Sequence, residues 1–292
     1  TIYSKKINFN LTKMSKKKFN YSVTFACYNE VEYTKKCIDS MMHNKDDLSR
    51  LVIVDNSSSD DTQEYLQTLS VGGVILNKSN LGCGVAWNQG VMEFQSEWSI
   101  IMNNDIVVSN DWINGLISSA IDNNVRVISP ALMEGEFDYD FESAVLDAKK
   151  QMNGYVRFGD QHAVCLAVHN SVWSEIGYFR ASPSLLGYED TLFFHELKEK
   201  GIKTATTSSS WLYHFGSVTQ SYMRKEQGLQ DKDSLAARNN HRFLQQSWIG
   251  RKLSKIKKNR FRKKWKAYEI DKFGMTLHGV RDNNKFYWKR YF

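Results

Sequence analysis

Short apolar runs separated by stretches of helical periodicity set the pattern of this chain from Tyr21 onward. The runs Tyr21–Cys27, Arg50–Asp55, Val74–Leu76 and Trp98–Met102 are rich in β-branched and aromatic residues and predict strands. Between them, Tyr33–Met42, Asp60–Leu69 and Val85–Phe94 place apolar residues at the spacing of a helix with one buried face. Strands alternating with helices in this way argue a parallel α/β sheet. In such sheets ligands bind beyond the carboxyl ends of the strands, where loops bring polar groups to one crevice. The polar clusters that follow the strands are therefore the places to look for chemistry.

Six clusters stand out, and each has a plain structural reading beside a chemical one. Ala26-Cys27-Tyr28-Asn29-Glu30 follows the first strand, where Asn29 and Glu30 could simply open a helix. The run from Asp55 to Thr62 follows the second strand; capping explains Ser59 and Asp60, but not an acid ending a buried strand, since an unpaired charge there is costly. In Asn80 to Gly90 the glycines allow either a close backbone approach to a ligand or tight helix–sheet packing, and the spacing is not that of a dinucleotide-binding turn. Asn103-Asn104-Asp105 ends an apolar strand in oxygen donors, the kind that hard cations such as Mg²⁺ or Mn²⁺ take, although a lone Asp at such a place is commonly a turn residue. Glu189 and Asp190, after Leu186-Gly187-Tyr188, either complement a helix N-terminus or supply a general base. His214, flanked by Tyr213 and Phe215, is either a packed core residue or a metal ligand through a neutral ring nitrogen.

Composition narrows the picture. With 292 residues, 41% of them hydrophobic, the chain can bury one large core or two modest ones, and one main catalytic domain with an appendage is expected. The net charge of +7 is unevenly spread: Arg251 to Lys266 carries ten Lys and Arg and no acid, which leaves the rest at −3 by difference. Cys27, Cys37, Cys83 and Cys165 lie far apart without metal-knuckle or disulfide spacing, which points to a reducing, cytoplasmic setting. No stretch approaches the roughly 18 apolar residues that span a bilayer, and the basic lead over residues 1–20 reads as a loose arm without the apolar core of a signal peptide.

Taken in order, the six clusters resemble the inverting glycosyltransferases of family 2, in particular the rhamnosyltransferase-like and galactofuranosyltransferase-like branch that builds polysaccharides. The resemblance covers about Tyr21 to Thr219. It implies a GT-A fold, a Rossmann-like α/β domain with a mixed, mostly parallel sheet flanked by helices, here with a helical, basic C-terminal appendage over 220–292. Within 21–219 it implies a nucleotide-sugar half (21–110) and an acceptor half (111–219). By the same carry-over Ala26, Tyr28, Glu30 and Asp55 contact the uracil or thymine and its ribose, and Asn80, Gly82 and Asn88 with Ala86 and Gly90 lie on the nucleotide side. Asn103-Asn104-Asp105 stands where the family has its D-x-D metal motif, with Asn in the first place, and Asp105 is the carboxylate that remains. His214, with Gly216 and Ser217, would complete the metal shell. Asp190 would be the catalytic base and Glu189 its neighbour toward the acceptor, while Leu192 and Glu196 replace an acid and an arginine that the family often carries. The implied co-substrate is a UDP- or dTDP-sugar, with rhamnose ahead of galactofuranose, and the implied acceptor a glycan or lipid-linked glycan. The loops that would read the sugar, chiefly 133–160, carry no recognisable code.

The tail leaves alternatives open. Leu253, Ile256, Phe261, Trp265 and Tyr268 among its cations suit peripheral contact with an anionic membrane, and they equally suit a solvated helix packed on the acidic body. Nucleic acid is the disfavoured partner, because no nucleic-acid-binding motif accompanies the charge. A catalytically silent nucleotide- or glycan-binding module is the rival reading of the whole.

Overall fold

The computed structural model describes residues 19–159, 161–181, 188–216, 218–228 and 248–289. Asp160, Leu186, Gly187 and Ser217 of the clusters above, and nearly all of the basic arm, lie outside these residues.

The alternation begins as the sequence predicts: β1 (Tyr21–Cys27), α1 (Val31–His43), β2 (Leu51–Asp55), α2 (Thr62–Gln67), β3 (Gly73–Leu76), α3 (Cys83–Glu93) and β4 (Trp98–Asn103). Every residue of β2 and the first five of β4 are buried, as befits central strands covered on both faces. The chain continues through β5 (Ile106–Val108), α4 (Trp112–Asp122), β6 (Val127–Gly135), α5 (Phe141–Met152), β7 (Val156–Phe158), β8 (Cys165–His169), α6 (Asn170–Ile176), α7 (Glu189–Glu199) and β9 (Thr204–His214). It ends in α8 (Val218–Gln227), α9 (Trp248–Phe273) and the strands β10 (His278–Asp282) and β11 (Lys285–Lys289).

One sheet runs in the order β11-β10-β6-β8-β4-β1-β2-β3, with β9 reaching across to β5, β6 and β7. The run β3-β2-β1-β4 is parallel throughout, while β8 is antiparallel to both β4 and β6. This is the mixed, Rossmann-like sheet flanked by helices that the sequence leads one to expect. Apolar clusters fill the space on its two faces: Phe25, Ile38, Leu51, Ile100 and Leu116 belong to one, and Trp87, Ile101, Leu166, Trp173 and Phe193 to the other.

The tail departs from expectation. The sequence predicts a helical appendage, and α9 is indeed helical over the cationic stretch, but the chain then returns as a hairpin. Its turn, Asn283-Asn284, has both residues at positive φ (50° and 60°), the conformation of the tight turns that match strand twist. β10 adds in parallel to β6 and so extends the sheet itself. The helix is tied down at its C-terminal end, where Glu269, fully buried, accepts two bonds from Arg157 Nη1 at 2.9 and 3.0 Å and one from the Leu277 N–H at 3.2 Å. Leu253, Ile256 and Phe261 near its other end are exposed. Among the described residues no helix is long and apolar enough to cross a membrane.

Candidate functional site

The loops after β1 and β2 are sewn together. Asn29 and Glu30 both take the left-handed conformation, φ 53° and 58°, which non-glycine residues adopt only when their surroundings over-determine it. Here the Asn29 Oδ1 accepts from the Ser59 N–H at 2.7 Å, the Asn29 N–H donates to Ser58 Oγ at 2.7 Å, and the Val31 N–H donates to Asp60 Oδ2 at 3.1 Å. Asp55, wholly buried, supplies the partners that the sequence reading found missing. Its carboxylate accepts from the N–H groups of Ser57 and Ser58, the hydroxyl of Ser58 and the amide of Gln63. Its visible role is thus to hold its own loop, in which both carboxylate oxygens already accept bonds. Ala26, by contrast, lies partly open at the end of β1, opposite Val54 and Asn103. Tyr28 extends beyond it, donating its hydroxyl to Glu226 of α8 at 2.7 Å and meeting the Tyr222 ring edge-on.

The turn into α3 divides its residues between packing and the cleft. Gly90 serves packing, since a Cβ there would lie 1.9 Å from Thr24 Oγ1 on β1. Asn88 does the same by another route: its amide nitrogen donates to the Phe179 carbonyl at 2.7 Å and its oxygen accepts from the Phe179 N–H at 3.0 Å. That clamp ties the side chain the sequence assigned to the donor side to the loop ahead of α7. Gly82 starts the helix, its N–H donating to Asn80 Oδ1 at 3.0 Å, and the other end of the Asn80 amide faces Met223 of α8. Gly84 is small for the sake of Glu189. A Cβ there would meet the Glu189 side chain at 2.9 Å, and its N–H donates to Glu189 Oε1 at 3.3 Å.

At the end of β4, Asn103 is partly exposed, whereas Asn104 is buried and donates to Thr34 Oγ1 at 3.0 Å. Asp105 turns inward just before β5, whose first residue pairs with His214 of β9. The result is a close pair: Asp105 Oδ1 and His214 Nε2, both buried, stand 3.4 Å apart. Asp105 Oδ2 accepts from the Val218 N–H at 3.1 Å, but neither Oδ1 nor Nε2 has a hydrogen-bond partner. His214 Nδ1 is committed elsewhere, donating to Glu134 Oε1 at 2.7 Å, and Glu134 Oε2 meets His278 Nε2 at 2.8 Å. Nε2 therefore turns toward a carboxylate oxygen either a lone pair or a second proton. A lone pair facing a carboxylate is repulsive, and a cation between them removes the repulsion.

Without a metal ion the electrostatics favour the second proton, giving an imidazolium–carboxylate pair whose proton a divalent cation would replace. Burial disfavours the charged imidazole, yet Asp105 and Glu134 outweigh it and hold the His214 pKa up at about 9. Burial likewise works against the charge of Glu134, but its two histidines prevail and bring it down to about 2; Asp105 is lowered by the same contest. Among the described residues no group of three or more His, Cys, Asp or Glu side chains is arranged to hold a metal ion. Asp105 and His214 supply two donors, fewer than the protein-only set such a site needs, and a hard cation there would draw its other oxygens from phosphate and water.

The acids at the head of α7 lie beside the start of α3, where Glu189 touches Gly84. Glu189 is buried with its Oε2 unpartnered, and burial raises its pKa. Asp190, partly exposed, accepts from the Thr191 N–H at 2.6 Å; burial raises its pKa too, against the Thr191 bonds and the charge of Lys258 from α9. The Cys83 thiol is pushed up by burial and by the charges of Glu189, Asp190 and Asp105 together, so all three acids lie around the start of α3. Leu192, in the place of the family's acid, is core, and Glu196 pairs with Arg180.

The sequence of residues 22–182 matches the family described as glycosyl transferase family 2. The chain belongs to glycosyl transferase family 2. No curated protein sequence matches it. Solved structures of similar fold include a crystal structure of GalNAc-T7 with UDP, GalNAc and Mn²⁺, at TM-score 0.53, 14% identity and 69% of this chain. Another is the mannosyltransferase PcManGT from Pyrobaculum calidifontis in complex with GDP-Man and Mn²⁺, at TM-score 0.51, 16% identity and 68% of this chain. The family 2 chain spans 44% and 58% of those two proteins.

Several residues of this family 2 site escape a reading by motif. Glu134 carried the same signal as Asp105, an acid closing an apolar strand, and His278 and Lys258 sit in a tail whose charge drew attention away from single positions.

Proposed function

We propose that the chain transfers one sugar from a UDP- or dTDP-linked donor to a glycan hydroxyl, with inversion, using Mn²⁺ or Mg²⁺ held by Asp105 and His214. The observation that carries this reading is the buried pair Asp105 Oδ1 and His214 Nε2, 3.4 Å apart and each without a further hydrogen-bond partner. When bound, the ion would offset the charge that develops on the departing diphosphate. The remaining chemistry falls to the chain. Asp190 takes the proton of the attacking hydroxyl, its pKa raised by burial toward the range useful to a base. Glu189 is held beside it by the Gly84 N–H, with one oxygen left for the acceptor. Ala26, Tyr28, Glu30, Asn80, Gly82 and Asn103 border the donor side, in the half spanning 21–110, with 111–219 facing the acceptor. Tyr28 and Asn80 are covered by α8, so donor entry displaces Glu226 and Met223 from them. A rhamnose donor stays ahead of galactofuranose on the sequence resemblance alone.

Calorimetric titration of nucleotide-sugars with Mn²⁺ and with chelator tests the donor assignment, and NMR of the product tests inversion. Asp190→Asn should lower transfer by about 10² to 10⁴ with donor affinity kept. In the wild type, transfer should fall as pH drops through the raised Asp190 pKa, because the base must be ionised to act. Full activity in Asp190→Asn would remove it from the mechanism.

The exposed cations and apolar side chains of α9 suit an acceptor carried on an anionic surface. Sedimentation of the full chain with anionic vesicles, abolished by high salt, is the expected result; no sedimentation at low salt would leave the helix a solvated face.

A further inference from the structure

Glu134 stands between two histidines because of the register of the sheet. β6 pairs on one side with β9, Met133 opposite Tyr213, and on the other with β10, Leu132 opposite His278. One step beyond Met133 brings Glu134 level with His214. Two steps beyond Leu132 put it on the face that His278 shares, since side chains alternate along a strand. The outcome is a continuous chain of contacts, Asp105 to His214 to Glu134 to His278, that crosses β9, β6 and β10.

We propose that Glu134, backed by His278 of the C-terminal hairpin, is a positioning residue that holds the His214 ring with Nε2 turned to the cation. The inference rests on the assignment of Asp105 and His214 as cation ligands. A histidine ring can flip about its Cβ–Cγ bond and exchange a nitrogen for a carbon at either position. Glu134 Oε1, by taking the Nδ1–H, selects one ring orientation and one tautomer, and a carboxylate there makes the opposite nitrogen a better donor to a metal. His278 occupies Oε2, so the carboxylate cannot swing round to become a ligand itself. The hairpin, remote in sequence and outside the segment that identifies the family, thereby completes the site from behind.

Mn²⁺ affinity of the full chain, read from the EPR signal of free Mn²⁺, tests this without reliance on turnover, and long-range ¹H–¹⁵N NMR of His214 in metal-free protein, recorded above its pKa of about 9, reports the tautomer. Glu134→Leu should weaken Mn²⁺ about 10- to 100-fold and leave the His214 proton shared between both nitrogens. Glu134→Gln, which still offers an oxygen to Nδ1, should recover most of the affinity. His278→Gln should weaken Mn²⁺ by a few-fold at unchanged Tm, and it decides the question if Glu134→Leu does not fold. Mn²⁺ binding that requires Asp105 but stays within twofold in both Glu134→Leu and His278→Gln overturns the positioning role alone. Mn²⁺ binding indifferent to Asp105→Asn overturns the cation site and this inference with it.

Discussion

Asp55 and Asp105 follow two strands of one sheet, separated only by β1, and both are buried. Around Asp55 every oxygen is occupied by donors from the next eight residues, two of them backbone N–H groups. Around Asp105 one oxygen is held by Val218 and the other faces the bare Nε2 of His214. The first carboxylate has been turned into scaffold, and its charge is spent on loop geometry. The second has been left short of one positive partner. Burial of a charge at a strand end is therefore not by itself ground for proposing a ligand site; an oxygen without a hydrogen-bond donor is a further ground.

That contrast can be broken by paired substitutions. Asp105→Asn should have the largest effect, lowering transfer by about 10³-fold with loss of Mn²⁺ binding, because several kcal/mol of charge stabilisation depend on the ion. Asp55→Asn should act on the fold: an amide nitrogen turned into a nest of donors costs about 2 kcal/mol, roughly 4–8 °C in Tm, with Mn²⁺ affinity retained. If Asp55→Asn instead abolished Mn²⁺ binding at constant Tm, the division between scaffold and ligand would be wrong.

Acid offers a smaller, sharpening test, because it loosens the fold through a buried histidine next to the Glu134–His278 network. His162 is buried, with Nε2 2.8 Å from the Pro130 carbonyl, and burial pushes its pKa down to about 3. The unfolded chain takes up a proton near 6.5 that the folded protein refuses, so stability is full above that pH and is lost as pH falls toward 3. Between pH 6.5 and 5.5 the loss is about 1 kcal/mol. Urea unfolding at several pH values should show this slope in the wild type and a flatter one in His162→Gln; equal slopes would assign the acid sensitivity elsewhere.

How far the sequence could be read follows from how far apart the partners lie. The strands and helices as far as β4 are legible because periodicity is local, and so are Asp105, His214, Glu189 and Asp190, each set at the end of an element. The Asp55 network was within reach too, since an Asp accepting from N–H groups two and three residues on is a local turn habit. Asn88 was not: its clamp on Phe179 joins residues 91 positions apart, and the same asparagine beside a glycine-rich turn suits a ligand equally well. The Glu134–His278 contact spans 144 positions and depends on a register that no local pattern encodes. The hairpin had a local signal in Asn283-Asn284, hidden by the charge of the helix before it.

The buried pairing of Arg157 with Glu269 sets a practical boundary on this protein. A chain cut short of Glu269 would strand a guanidinium in a dry interior, a defect of about 3–5 kcal/mol that rivals the whole margin of an ordinary domain. A chain trimmed to the part that identifies the family should accordingly yield insoluble material, and an affinity handle is better placed at the start of the chain than grafted in place of its end.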